Sequence, residues 1–106
     1  MRTEEVTADF IQVAWESLAT GVRVKVVRRG GLQLRLVQFS REFVEREWCE
    51  KKHTGYVIEG ELAVEFASGT VRFHQGQGIV LPGGTGGKHK ASSVTEVVTL
   101  FLVEDV

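Results

Sequence analysis

The chain has 106 residues, of which 42% are hydrophobic and 25% are charged, and its formal net charge is −1. This composition is typical of one globular domain, predicted here over residues 1–106, and the near-neutral charge excludes general attraction to nucleic acid or to an anionic membrane. The longest near-apolar run, residues 97–103, falls short of the roughly 20 residues of a membrane-spanning helix, and the polar start has no signal-peptide pattern. Because a single cysteine also fits a reducing compartment, we expect a cytoplasmic protein.

The first twenty residues are compatible with two structures. Val6, Phe10 and Leu18 lie on one stripe of a helix, whereas residues 10–13 would serve equally well as an edge strand. We therefore expect an N-terminal strand or short helix over residues 1–20 that packs on the rest of the domain.

Short strands separated by glycines are predicted for the remainder of the chain. Residues 22–29 and 32–39 alternate apolar and polar side chains around Gly30 and Gly31, which predicts a tight hairpin. A second hairpin is predicted over residues 62–73, and the runs 79–81 and 95–103 are typical of strands buried on both faces. Many close strands without a long helix indicate an all-β sandwich or closed barrel.

Two motifs then resemble the cupin family. Residues 56–62 (Tyr-Val-Ile-Glu-Gly-Glu-Leu) are similar to its strand-bend-strand signature, and residues 76–84 match the G-x5-P-x-G core of its second motif. The resemblance covers about residues 20–104. It implies a double-stranded β-helix (cupin or jelly-roll) barrel, usually a homodimer, with a ligand or metal pocket at the open end.

The resemblance also implies where metal ligands would stand. In the family, a His-x-His pair and a glutamate precede the conserved glycine, and a third histidine lies in the second motif. The corresponding positions here are Glu47, Cys49, His53 and Gly87, with His89 two residues further on. The standard ligand set is therefore absent as written.

Two interpretations of these residues remain open. Glu47, Cys49, His53 and His89 form a mixed set that favours zinc, or iron, manganese or nickel, over calcium and magnesium, because sulfur and imidazole are soft or borderline donors. Alternatively no metal binds, the two histidines line a wet pocket or bond to the backbone, and Cys49 is a small packing residue. A third role for Cys49, as a nucleophile activated by a histidine, is less typical of a lone cysteine on a strand.

We therefore predict a pocket inside the barrel lined by Glu47, Cys49, His53, Tyr56 and His89, because strand parity places His89 opposite to its two lysine neighbours. The leading hypothesis is a cupin that binds a small molecule, with a degenerate metal-ligand set. A metal-dependent oxygenase, isomerase or lyase and a metal-free interaction dimer are the alternatives. The sequence does not decide whether the protein is an enzyme.

Overall fold

The computed structural model describes residues 1–106 as two antiparallel β-sheets. Six strands follow the spatial order β1-β2-β3-β9-β4-β7 and three follow the order β6-β5-β8. The strands are β1 (Glu16–Ala19), β2 (Val22–Arg29), β3 (Leu32–Ser40), β4 (His53–Glu59), β5 (Glu61–Phe66), β6 (Gly69–His74), β7 (Gly78–Leu81), β8 (His89–Ser93) and β9 (Val97–Asp105). This arrangement confirms the predicted all-β jelly roll.

The N-terminal segment contains a short helix and an edge strand, but neither lies where the sequence pattern suggests: the helix ends at Val6, and residues 10–13 do not form a strand. A four-residue helix, α1 (Thr3–Val6), and a 3-10 turn (Phe10–Gln12) precede the edge strand β1. Phe10 packs edge-on against Phe101 of β9, with ring centroids 6.1 Å apart, and its carbonyl oxygen accepts a 2.7 Å hydrogen bond from Lys25. The segment thus lies on the outer face of the six-stranded sheet. No helix has the length and apolar character needed to cross a membrane.

Glycines occupy the positions where the chain turns sharply. The hairpin between β2 and β3 turns at Gly30 and Gly31, both with positive φ, as predicted. Gly60, with φ +84°, takes the chain from β4 in one sheet to β5 in the other. A Cβ atom there would collide with the carbonyl oxygen of Val97, so the bend requires glycine.

The core fills the space between the two sheets. Side chains from both inner faces meet there, as in other sandwiches and barrels. The cluster comprises Val24, Val37, Phe39, Phe43, Val57, Leu62, Val64, Ile79, Leu81, Ala91, Val98, Leu100 and Leu102. Packing of these residues leaves an interior space between the sheets.

The long connection between β3 and β4 is ordered by β8. Isolated bridges join Val44 to Ser92 and Cys49 to His89, so this segment runs antiparallel beside β8 as an irregular extra strand. The connection therefore places Cys49 next to the second half of the chain.

Candidate functional site

Three side chains with metal-ligating atoms meet inside the barrel: Cys49, His53 and His89. Their ligand atoms all lie within 4.8 Å of one another. The Sγ atom of Cys49 is 3.8 Å from Nε2 of His53, and the two imidazole rings have centroids 5.4 Å apart. The sequence hypothesis that these three residues converge therefore agrees with their placement.

Backbone pairing fixes two of these residues against each other. The amide of Cys49 donates to the carbonyl of His89 at 2.8 Å, and the amide of His89 donates back at 2.9 Å. Residues that exchange both hydrogen bonds in an antiparallel pair stand directly opposite, with their side chains on the same face. His53 arrives from a different element, as the first residue of β4, where it pairs with Leu81 of β7.

The imidazole of His89 is buried with one nitrogen unpartnered. Its side chain is 1% exposed, and Nδ1 lies 3.0 Å from the carbonyl oxygen of Gly87. Because a carbonyl oxygen only accepts, Nδ1 carries the proton and donates. In the neutral ring, Nε2 then holds a free electron pair, and this buried atom has no hydrogen-bond partner.

His53 is oriented in the same way by a carboxylate. Its Nδ1 lies 2.8 Å from Oε2 of Glu104, which is itself held by two 2.7 Å hydrogen bonds from Arg35 and one of 3.0 Å from Gln33. Burial acts to raise the pKa of the Glu104 carboxyl, but the hydrogen bonds and the charge of Arg35 outweigh it and lower the pKa to about 2. Glu104 is therefore an anionic acceptor at neutral pH.

The protonation of His53 follows from its surroundings. Burial lowers the pKa of its imidazole below the ordinary value of 6.5, and this effect outweighs the opposing hydrogen bond and charge of Glu104. A neutral ring with its proton on Nδ1 leaves Nε2 free, facing Cys49. The Nε2 atoms of both histidines lie in the same space.

This space is a cavity of about 230 Å³ with mainly hydrophobic walls. Cys49, His53 and His89 line it, together with the polar side chains of Arg35 and Glu45. Glu45 also accepts a 2.9 Å hydrogen bond from the amide of Ala91. The cavity therefore has apolar walls and only a few polar side chains, which is typical of ligand sites.

Solved structures with the same architecture include several cupins. KdgF from a Halomonas species shares 24% sequence identity, with a TM-score of 0.74 over 92% of this chain and 92% of that one. A protein from Shewanella frigidimarina that contains a cupin-2 domain shares 25% identity, with a TM-score of 0.63 over 78% and 79% of the two chains. An RmlC-like cupin from the same organism shares 17% identity, with a TM-score of 0.77 over 95% and 90%. The chain has the fold of the small cupins.

The structural similarity confirms the fold that the resemblance of the two sequence motifs implies. No protein-family model and no curated protein sequence matches the chain.

Two residues predicted to line the pocket, Glu47 and Tyr56, do not line this cavity. Glu47 is exposed, because residues 45–48 do not form a regular strand and the expected alternation does not apply; Glu45 lines the cavity instead. Tyr56 is 48% exposed. It stands three positions after His53 on β4, and an odd separation on a strand places two side chains on opposite faces.

The site also contains Arg35 and Glu104, which the sequence does not single out, and Glu45, which strand parity would place on the same side as Cys49. Arg35 occupies an inward position of β3, with Val37 and Phe39 further along the same face. Glu104 follows the apolar run of β9. Arg35 is one of several polar residues in an alternating strand, so it does not stand out in the sequence. Only the pairing of β3 with β9 brings the two charges together.

The three clustered residues fit a divalent transition metal. Imidazole and thiolate are the donors that zinc and its neighbours prefer, whereas calcium and magnesium require oxygen. Gly87, at the position of the family's last histidine, offers no ligand atom, and a Cβ there would collide with the Pro82 carbonyl group. His89 supplies an imidazole two residues later. The unpartnered Nε2 of His89 is the feature that such a metal would satisfy.

Proposed function

We propose that this cupin binds a divalent transition metal through Cys49, His53 and His89, and a small molecule in the adjoining cavity. The observation that carries the proposal is the buried Nε2 of His89, which has no protein partner and shares a space with two other ligand atoms. A buried polar atom without a partner costs about 1–3 kcal/mol. A metal ion would remove this cost and use the electron pair.

The groups behind the ligands support the same proposal. Histidines that bind metals usually donate their other ring proton to a carboxylate or a backbone carbonyl, which fixes the tautomer. Here Glu104 accepts from His53 and Gly87 accepts from His89. Both histidines are therefore already in the tautomer that a metal requires.

The chemistry of the donors narrows the choice of metal. A thiolate among the ligands favours zinc, and the general order of affinities places nickel above iron and iron above manganese. We expect one metal ion for each chain, with zinc or nickel bound more tightly than manganese. A metal held there would supply Lewis acidity.

The test is metal content and affinity in variants matched by residue type. Protein purified under reducing conditions is measured by elemental analysis, then stripped and titrated with cobalt, whose bond to a thiolate gives an absorption band. Loss of a residue that only supports a metal ligand typically lowers metal affinity by roughly 10- to 100-fold. We expect Cys49→Ser, His53→Ala and His89→Gln to lower the affinity for cobalt by more than this, because each removes a proposed ligand.

His74→Ala is the matched control, because His74 is exposed at the end of β6 and its imidazole bonds only to the backbone carbonyl of Gln75. This variant should bind cobalt like the wild type. Absence of stoichiometric binding of zinc, nickel, iron and manganese by the wild type would contradict the proposal. Equal losses in His74→Ala and His53→Ala would also contradict it.

A second candidate function, metal-dependent catalysis, is favoured by the number of ligands. Catalytic zinc sites typically have three protein ligands and an open position, whereas structural sites have four. Azide added to the cobalt-loaded protein tests this directly. A changed absorption spectrum would support an open position, and an unchanged one would indicate a closed site.

We also propose that the cupin forms a homodimer through the outer face of its six-stranded sheet. Tyr56 and Val80 lie on this face and are 48% and 77% exposed, beside the half-buried Leu34 and Val103. Apolar surface of this kind often marks a partner site. Val80→Glu should lower the solution mass measured by light scattering, whereas Val71→Glu, on β6 of the other sheet, should not.

A further inference from the structure

Arg35 stands where the interior cavity meets a second, open groove. The groove has a volume of about 590 Å³ and is lined by Lys51, Lys52 and Glu104 among others. Arg35 is the one residue that lines both the groove and the cavity. A molecule that enters the cavity from the groove would therefore contact the guanidinium group.

Half of this guanidinium group is already engaged. Nε and Nη2 each donate to a different oxygen of Glu104, at 2.7 Å. A guanidinium has five N–H donors in a fixed plane. The two hydrogen bonds to Glu104 use the edge formed by Nε and Nη2, so the edge formed by Nη1 and the second proton of Nη2 is left. Nη1 makes no hydrogen bond within the chain, and the side chain is only 20% exposed.

The geometry of the free edge selects the ligand group. Two parallel N–H bonds from a guanidinium match the two oxygens of a carboxylate. Glu104 holds the other edge, so the plane of the group is fixed before any ligand arrives. The guanidinium is thus oriented for a second carboxylate, supplied from outside the chain.

The charges of the groove favour the same class of ligand. Its lining contains three cationic side chains, Arg35, Lys51 and Lys52, against two anionic ones, Glu104 and Asp105. Glu104 is already saturated by Arg35, Gln33 and His53. The remaining positive charge of the lysines would raise the local concentration of anions.

We infer that Arg35 binds the carboxylate of a small organic acid whose apolar body lies in the cavity beside Cys49, His53 and His89. The inference rests on the proposed function, since it names the class of molecule that the same site takes. The mainly hydrophobic walls accept an apolar body. The volume of about 230 Å³ is below the roughly 300–1,000 Å³ of drug-sized sites, so the acid is small.

The test compares acids with their neutral amides. Butanoate, 3-methylbutanoate, benzoate and phenylacetate, each beside its amide, are titrated calorimetrically into the zinc-loaded protein and into the metal-free protein. We expect at least one acid to bind at least about tenfold more tightly than its amide, as charge-assisted hydrogen bonds provide. Arg35→Gln should abolish this preference while retaining an amide donor for Glu104, and Arg35→Lys should keep part of it.

Arg72→Gln is the matched control, because Arg72 is exposed on β6 and pairs with Glu61 away from the cavity. It should keep the full preference for the acid. The inference is overturned if no acid among the four binds, if the amides bind equally well, or if the preference survives in Arg35→Gln.

The metal titration separates failure of the inference from failure of the proposed function. Arg35→Gln should still bind cobalt, because its three ligands remain. If that variant loses cobalt and acid together, Arg35 only positions Glu104 and His53, and the inference is overturned. If the wild type binds no metal, the proposed function fails, and the acid titrations of the metal-free protein still decide the role of Arg35.

Discussion

Glu104 links the interior histidine to the strand that carries Arg35. One of its carboxylate oxygens, Oε2, accepts from both His53 and Arg35. Its negative charge makes His53 a better electron donor and holds the ring in place, as carboxylate partners of ligating histidines do. The residue therefore contributes to the site without being a ligand.

Replacing this carboxylate tests that contribution. Glu104→Gln should lower the affinity for cobalt by roughly 10- to 100-fold, because the amide is neutral and accepts with one oxygen only. Glu61→Gln is the control, since Glu61 pairs with the exposed Arg72 and does not touch the cluster. Affinities measured by absorption titration that do not differ between these variants would contradict the role of Glu104.

Glu104 also makes the stability of the metal-free protein dependent on pH. Its carboxyl has a pKa of about 2 when folded and an ordinary pKa of 4.5. A lowered pKa in the folded state means that the stabilisation is complete above about pH 4.5 and is lost as the pH falls towards 2. The difference in unfolding free energy between wild type and Glu104→Gln should therefore shrink between about pH 6 and pH 3 in urea titrations with chelator present. A constant difference would show that the charge of Glu104 does not stabilise the fold.

The sequence identifies the ligand atoms of the site better than their partners. Cys49 and His53 can be found because the motif fixes their distance from Gly60 along the chain, and His89 because it is the histidine nearest to the motif position Gly87. Arg35 and Glu104 are 69 positions apart and meet only through the register of β3 with β9. The leucines at 32, 34 and 36 make the other face of β3 an equally good candidate for the interior. Alternation reveals two faces but does not reveal which of them faces the core when both are apolar.

At the scale of elements, the switch from β4 to β5 depends on one glycine. Gly60 combines positive φ with a position where any Cβ would meet the Val97 carbonyl oxygen. Gly60→Ala should lower the unfolding free energy by more than about 2 kcal/mol, measured by urea unfolding, because backbone strain and the collision act together. Gly86→Ala serves as the control, since a Cβ added there would have no atom within 4 Å and its φ is not positive. Similar losses in both variants would contradict this explanation of the bend.

The elements that can be predicted are those specified by neighbouring residues. The hairpin at Gly30 and Gly31 needs only its own turn chemistry, and its two strands follow from alternation. The connection over residues 41–52 has charges of mixed sign, which by themselves indicate a solvated or edge segment. Its bridges to β8 are set by residues about 40 positions away, and they determine that Glu45 rather than Glu47 faces inward.

At the scale of the whole molecule, the cavity is the part that the sequence does not define. The jelly roll follows from many short strands and two motifs in order. The volume and lining of the interior depend on how the two sheets approach and on which side chains fill the space. Phe39 and Phe43, for example, stack with their centroids 3.9 Å apart and line the same chamber.

Metal binding should stabilise the entire domain, because the three ligands join the β3 to β4 connection, β4 and β8. An ion that binds only the folded state at about 100 times its Kd adds roughly 2.7 kcal/mol to the unfolding free energy. For a chain of this size the Tm should rise by roughly 10 °C between chelator and zinc in calorimetry. His74→Ala should show the same rise and Cys49→Ser a smaller one, since a hydroxyl is a poorer ligand for zinc than a thiolate. An equal rise in Cys49→Ser would mean that zinc stabilises the protein at another place.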